Sequence, residues 1–411
     1  MKSNHSVYKQ GSRPSGLPAS IKLLALLLMA ALATGCVNNN VKRVNTVQAT
    51  HAERELPTEK LLDVTITSFN PGYQEPLPED SRIYPEVRKA EAGFMPFQLR
   101  EAMQNTGQWG AVRVTPEKPI APELLVEGEI LHSDGETLEL RIIATDSTGK
   151  VWLNRRYEET AAALSYTDAD PAKLDPFQDL YNRIANDLLS VRNKTSGKNL
   201  RDIRQVAFLR FADNLAPDAF GDYLGENRGR YSVKGLPAQN DPNIARIERI
   251  RERDFRLIDS LDQYFAVYES EMQQPYDEWR AASYREARNE RKLKQQAAGR
   301  MIAGAAAVAA GIYGMGNAST GSEAAASQVA ILGGGYLFKS GLDKRTEAKI
   351  HREALKELGE SLSSEVKPTT VSLEGRTVTL NGSAEAQYED WRKMLRDIYA
   401  EETGFTPGTS Y

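Results

Sequence analysis

Few residues of this sequence have the chemistry of a catalytic or metal site, and they do not cluster. The 411 residues include one cysteine, Cys36, and four histidines. Past the N-terminal region, His51, His132 and His351 lie far apart, without carboxylates at the spacing of metal ligands. The segment GGGYLFKS lacks the glycine that a phosphate-binding loop has before its lysine. The sequence therefore predicts no catalytic residue, no metal, no cofactor and no small-molecule substrate.

The single thiol has a specific sequence context. Residues 21–36 read IKLLALLLMAALATGC, a short apolar run that follows basic residues and ends in small residues before Cys36. The run is shorter than the ~20 residues of a membrane-spanning helix and has the three-part organisation of a secretory signal. It resembles the lipobox of bacterial lipoproteins, in which the chain is cut before the cysteine and the thiol carries a lipid such as palmitate. A buried helix that happens to end in a cysteine is the alternative.

The lipobox resemblance implies how the chain is sorted. It implies a signal peptide over residues 1–35 and a lipidated Cys36. Because Val37 rather than an aspartate follows, it also implies the periplasmic face of the outer membrane. Residues 36–58 are polar, show no apolar period and predict a flexible tether.

Composition limits what the rest of the chain can be. A net charge of −4 predicts neither a nucleic-acid-binding surface nor an acidic tail. Charged residues make up 26% of the chain and the mean hydropathy is −0.51, which excludes a polytopic membrane protein. We expect an α+β fold class: a small N-terminal domain, a long helical middle and a small C-terminal module.

Residues 59–193 predict an α+β domain in the order strand, helix, strand, three-stranded meander, helix. The predicted strands are 61–69, 111–114, 124–131, 138–144 and 151–157. A first helix is predicted over 87–106, with a kink or a late start at Pro96. A second begins at Asp175-Pro176, with an apolar stripe of Phe177, Leu180, Ile184, Leu188 and Val191.

This order of elements resembles the small domain shared by several periplasmic envelope proteins. They include curli-secretion lipoproteins, the amino-terminal domain of the Tol β-propeller protein and the lipopolysaccharide-assembly lipoprotein. The resemblance concerns the order of elements, so it assigns no functional residue.

Residues 200–296 predict a helical region after a linker at 194–198. Residues 206–211 fit a strand or a buried helix, and 228–240 read as a loop. Asp241-Pro242 begins a long helix that Pro275 is expected to kink or divide. Its apolar residues recur every three or four positions, at Ile258, Leu261, Phe265, Tyr268, Met272, Tyr276 and Trp279. This seam fits a coiled-coil partner or, because it is short, packing on the protein's own domains, which we favour.

Residues 297–342 predict a Gly/Ala-rich helical hairpin. Its first arm repeats small residues every four positions (Gly299, Ala303, Ala307, Gly311), and its second contains Gly333, Gly334 and Gly335. Basic residues flank both arms: Arg291, Lys292, Lys294 and Arg300 before, and Lys339, Lys344 and Arg345 after. The pattern fits a hairpin packed inside the protein, an oligomerising glycine zipper, or membrane contact with the basic flanks on anionic headgroups.

Residues 343–411 predict a C-terminal module. It comprises a helix over 348–366, a β-hairpin over 371–383 and an amphipathic helix over 388–399 with Trp391, Leu395 and Ile398 on one face. The phrase RTVTLNGSAEAQ resembles a strand of the BON-type envelope module.

Together these features predict a non-catalytic lipoprotein that serves a cell-envelope assembly or export system as a structural or accessory subunit. Its partners would be the membrane, through the lipid on Cys36, and a protein partner or a second copy. Two alternatives stay open: a membrane-active or pore-forming oligomer built from the Gly/Ala hairpin, and a hydrolase of envelope polymers.

Overall fold

A five-stranded mixed sheet forms the centre of the protein. The computed structural model describes residues 47–54, 56–77, 83–166, 174–238, 240–314, 369–373, 376–380 and 383–403, and over 290–314 it describes the helical backbone alone. The strands are β1 (Val64–Thr67), β2 (Val112–Thr115), β3 (Leu124–Ser133), β4 (Thr137–Asp146) and β5 (Val151–Thr160). Their order is β2-β1-β3-β4-β5, with β1 parallel to both neighbours and β3, β4 and β5 antiparallel in sequence.

The meander β3-β4-β5 confirms the clearest strand prediction. Its two turns contain Gly135 and Gly149, whose φ angles of 80° and 82° lie in the left-handed region that glycine adopts without strain. In the first turn the Asp134 carboxylate accepts hydrogen bonds from the backbone N–H groups of Glu136 and Thr137. Leu138, Leu140 and Ile142 face the core as alternation requires, since each is fully buried.

Two helices pack on the sheet: α1 (Pro85–Gln104) and α2 (Gln178–Lys194). Of the kink or late start expected at Pro96, the late start is wrong, because α1 begins at Pro85 and continues through Pro96. Proline has no N–H for the carbonyl of Ala92 four residues earlier, and that oxygen accepts a hydrogen bond from the backbone N–H of Phe69 instead. The structure thus supplies the partner that proline removes.

Helix α3 (Gly197–Leu215) follows α2 after a two-residue turn, so the predicted linker at 194–198 is a helix junction capped by Ser196. Residues 206–211, undecided between strand and helix, lie in α3. A short helix, α4 (Pro217–Phe220), leads to a hairpin of β6 (Leu224–Asn227) and β7 (Arg230–Val233). The loop predicted from residue 228 is wrong over β7. Arg228 and Gly229, with φ of 52° and 75°, form the two-residue turn.

Helix α5 (Pro242–Gly314) is a single helix of 73 residues. It begins at the predicted position, where the Asp241 carboxylate accepts from the backbone N–H of Asn243. Pro275 does not divide it. All seven seam residues from Ile258 to Trp279 are buried within the protein, which confirms packing on its own domains.

The C-terminal module consists of a hairpin and a helix. They are β8 (Thr369–Leu373), β9 (Arg376–Leu380) and α6 (Ala384–Thr403). Trp391, Leu395 and Ile398 are buried in a core shared with α3 and the first turns of α5, as the amphipathic pattern predicted. The helix predicted over 348–366 lies outside the described residues. The fold is α+β, as predicted from the sequence.

Candidate functional site

The predicted site residues fall into two groups. Cys36 and the second arm of the Gly/Ala stretch (Gly333, Gly334, Gly335, Lys339, Lys344, Arg345) lie outside the described residues. The rest lie on α5: Arg291, Lys292, Lys294, Gly299, Arg300, Ala303, Ala307 and Gly311. The helical prediction for the first arm is therefore confirmed, and its four-residue spacing places the small residues on one helix face.

An extended arm over residues 47–52 binds along α2. The backbone of Val47 donates to the Asp179 carboxylate at 3.1 Å and accepts from the Asn182 side chain at 2.8 Å. One turn further on, Asn186 accepts from the backbone N–H of Thr50 at 2.8 Å and donates to the carbonyl of Gln48 at 2.9 Å. The flexible tether predicted over 36–58 is therefore wrong over this arm.

Sequence reasoning missed the arm because its partners are polar side chains on a helix face that periodicity assigns to solvent. Asp179, Asn182 and Asn186 follow one another at intervals of three and four residues, so they share a face of α2. Asp and Asn are poor helix formers, and their short side chains bond readily to backbone groups. Their regular spacing along α2 is therefore the sequence signal that could have predicted a bound segment of chain.

Around its midpoint α5 is fixed by buried polar groups, and we call this set the 276–284 contact. Tyr276 donates its hydroxyl to the Glu91 carboxylate of α1 at 2.7 Å, and Ser133 at the end of β3 donates to the same oxygen. Arg280 donates to Asp175 at 2.6 Å and also binds Asp277. Its guanidinium lies 4.3 Å from the centre of the Tyr276 ring. Tyr284 completes the contact against Tyr166, with ring centres 4.9 Å apart.

The electrostatics of this contact follow from burial. Glu91 and Arg280 are 0% and 1% exposed. Burial raises the pKa of Glu91, and the bonds from Ser133 and Tyr276 together with the charges of Arg88 and Arg280 oppose that rise only in part. Among the described residues, Oε2 of Glu91 accepts no hydrogen bond. Both groups are enclosed, and they join α5 to α1 through Glu91 and to the segment before α2 through Asp175.

Nearer its start α5 makes a second set of polar contacts, the 251–262 contact. Asp262 accepts from the backbone N–H of Val114 at 2.8 Å and pairs with Arg100 at 2.9 Å. Asp259 binds Arg113 of β2. Asp254 accepts from the Trp391 indole of α6 at 3.1 Å, and burial raises its pKa to about 6.

A polar cleft of about 730 Å³ opens between the end of β1, the loop after β2, α3, β7 and α6. It contains three basic and three acidic side chains: Lys118, Arg210, Arg392, Glu117, Glu127 and Asp213. Lys118 pairs with Glu127, and Arg392 lies 4.0 Å from Glu117. Because basic and acidic side chains are equal in number and two of each pair within the cleft, they favour neither an anionic nor a cationic ligand.

Metal-binding clusters and membrane-spanning helices are both absent from the described part of the chain. No group of three or more His, Cys, Asp or Glu residues is placed to hold a metal ion there. No helix within it combines the length and apolar character needed to cross a bilayer. His51 and His132 lie apart, one against the carbonyl of Asn105 and the other paired with Asp134.

Comparison with known proteins gives little. No family model matches the chain, and no curated protein matches it. Among solved structures, it is similar to a dodecamer of a PelC variant from Paraburkholderia phytofirmans, with 12% identity over 36% of this chain and 96% of that chain. The TM-score is 0.21, at which the likeness carries no weight for fold or function.

Proposed function

We propose that this chain is a lipid-anchored, non-catalytic protein of the outer membrane that faces the periplasm and serves an envelope assembly or export system as an accessory subunit. The observation that carries the proposal is the form of α5. One helix is clamped on the α+β domain by buried side chains up to Tyr284 and continues for 30 residues to Gly314. At 1.5 Å per residue, that continuation is about 45 Å long.

A helix fixed in this way supports a connecting role. Buried tyrosine, tryptophan and arginine side chains set its position on the domain, and its helical hydrogen bonds make the part beyond Tyr284 stiff. Such an element holds a second binding partner at a defined distance from the domain. The lipobox-like segment before Cys36 supports a membrane as one of the two bodies connected.

The first test is chemical. The chain expressed from its own start in a Gram-negative host should lose residues 1–35 and gain the mass of lipid at Cys36. The Cys36→Ala variant should stay uncut and unlipidated. Unmodified, uncut wild-type chain in the same cells would overturn the lipoprotein proposal.

The second test separates a connector from a pore. Residues 37–411, which lack Cys36 and its lipid, are purified without detergent and sized by light scattering. A soluble monomer supports an accessory subunit held to the membrane by lipid alone. A detergent requirement, or a discrete ring-sized oligomer, would replace the proposal with a pore built from the Gly/Ala segment.

A further inference from the structure

Two parts of the chain leave the domain at the same end. The first is the arm: Val47 lies on the first turn of α2, against Asp179 and Asn182, and the arm then runs along α2 until Ala52 reaches Thr106 after the end of α1. The chain between Cys36 and Val47 therefore meets the domain at the start of α2.

The second part is α5. Arg280 binds Asp175, three residues before α2 begins, and the Tyr284 ring packs against the Tyr166 ring. The helix also touches the β3–β4 turn so closely that a Cβ on Gly135 would lie 2.5 Å from the carbonyl oxygen of Arg280. Beyond this point α5 continues to Gly314. We call this end of the domain the anchor end: residues 133–136, 163–166, 174–179 and 280–284.

The anchor end exposes apolar side chains. Leu164 and Leu174 are 43% and 44% exposed. Five large apolar residues are this exposed in the described part of the chain, and these two lie on either side of the segment that leads into α2. Exposed leucines on a domain that is tethered to a lipid suit the boundary between headgroups and acyl chains.

Chain lengths set the distance to the bilayer. Residues 37–46 separate Cys36 from Val47, and a fully extended chain of that length spans at most about 40 Å. The start of α2, where Val47 binds, therefore lies within about 40 Å of the lipid on Cys36.

We infer that the anchor end is a lipid-binding surface that lies against the bilayer holding the lipid of Cys36. This inference rests on the proposed lipid anchorage. A bilayer is favoured over a second copy of the chain because the tether keeps the anchor end within about 40 Å of lipid.

The experiment uses the full lipidated chain in vesicles of phosphatidylethanolamine and phosphatidylglycerol. Because the thiol of Cys36 is occupied by lipid, a new cysteine is the one site for a thiol-reactive environment-sensitive fluorophore. Leu174→Cys and Leu164→Cys report on the anchor end. Leu236→Cys, at a leucine 58% exposed beside the start of α5, is the matched control. The vesicles also contain a lipid that carries a quencher near its headgroup, so a probe in contact with the bilayer loses fluorescence.

We expect the probes at positions 174 and 164 to lose most of their fluorescence to the quencher-lipid and the probe at 236 to keep it. If mass spectrometry finds lipid and the vesicles carry the protein, yet all three probes are equally unquenched, the lipid-binding surface is wrong while the lipoprotein proposal stands. Probes at 174 and 164 that are shielded from the quencher in a protein that sizes as an oligomer would make this end an interface between copies, which also overturns the inference. A chain without lipid on Cys36 would overturn both.

Discussion

Helix α5 is held by two contacts that use charge in different ways. In the 276–284 contact the pair of Arg280 and Asp175 is enclosed, since their side chains are 1% and 3% exposed, while Asp277 beside them is 47% exposed. In the 251–262 contact Arg113 is partly buried but Asp259 is 51% exposed. Enclosed charges cannot exchange a lost partner for water, whereas exposed ones can. We therefore expect the Arg280–Asp175 pair to contribute more to the position of α5 than the Arg113–Asp259 pair does.

The largest expected effect is that of Arg280→Met. It leaves Asp175 buried without its charge partner, and breaking a buried pair in this way costs about 3–5 kcal/mol of unfolding free energy. Urea denaturation of the unlipidated chain measures it. Arg285→Met, at an exposed α5 position one turn later, is the control and should change stability by less than about 0.5 kcal/mol.

The double variant Arg280→Met with Asp175→Asn keeps the test informative if the single variant does not fold. Asparagine removes the stranded charge and still accepts from the backbone N–H of Phe177, so part of the loss should be recovered. If Arg280→Met alone lowered the unfolding free energy by less than about 1 kcal/mol, the enclosed pair would be worth no more than an exposed one, and the two contacts would not differ.

A second prediction concerns Asp254, the most enclosed acid of the 251–262 contact. Burial raises its pKa in the folded protein from 3.8 to about 6, so the folded state holds the proton to higher pH than the unfolded state. Stability from this group is complete below about pH 4 and is lost as pH rises through 6, by at most about 3 kcal/mol.

Asp254→Asn isolates that contribution. The amide still accepts from Trp391 and does not titrate, so the variant should gain stability relative to wild type as pH rises from 4.5 to 7.5. Urea midpoints at these two pH values measure the difference. The other buried acids are the same in both proteins, so their contributions cancel in the difference between the two unfolding free energies. A constant difference would show that the attraction of Arg251 and Arg392 already keeps Asp254 ionised.

A third change, Tyr276→Phe, removes one of the two hydroxyl donors to Glu91 and nothing else. Loss of a hydrogen bond to a buried acid should lower the unfolding free energy by about 1–3 kcal/mol. Tyr268→Phe is the control, since its hydroxyl donates to the neutral carbonyl of Ala90 at 3.0 Å and should be worth about 1 kcal/mol. Equal costs would mean that the charge of Glu91 adds nothing to the 276–284 contact.

The sequence foretold the parts of this arrangement that depend on apolar periodicity. The stripe Phe177, Leu180, Ile184 and Leu188 of α2 is fully buried, and so is most of the α5 seam. It did not foretell the charges that fix α5, because periodicity assigns charged residues to solvent. A signal was present: Glu91 lies three residues before Phe94, and Arg280 lies four after Tyr276, so each shares a buried helix face.

Other features depended on backbone groups that no side-chain period reports. The arm at 47–52 is held through its own backbone N–H and C=O groups. The turn of the β6–β7 hairpin contains Arg228, a residue type that rarely adopts a positive φ. The late start predicted at Pro96 was wrong for the same reason. The hydrogen bond that satisfies the free carbonyl of Ala92 comes from the backbone N–H of Phe69, which is distant in sequence. Which distant backbone group approaches is decided by tertiary packing.

The smallest expected effect is that of Asp259→Asn in the 251–262 contact. Arg113 keeps Asp63 as a partner at 3.3 Å and keeps its place over the Phe255 ring, so the loss should be at most about 1 kcal/mol. Salt screens exposed pairs, so the difference from wild type should shrink when urea unfolding is repeated in 1 M sodium chloride, where the Debye length is about 3 Å. The Arg280→Met cost should persist in the same salt, because its partner Asp175 is enclosed. If both variants responded to salt alike, exposure would not be what separates the two contacts, and α5 would be fixed equally along its docked length.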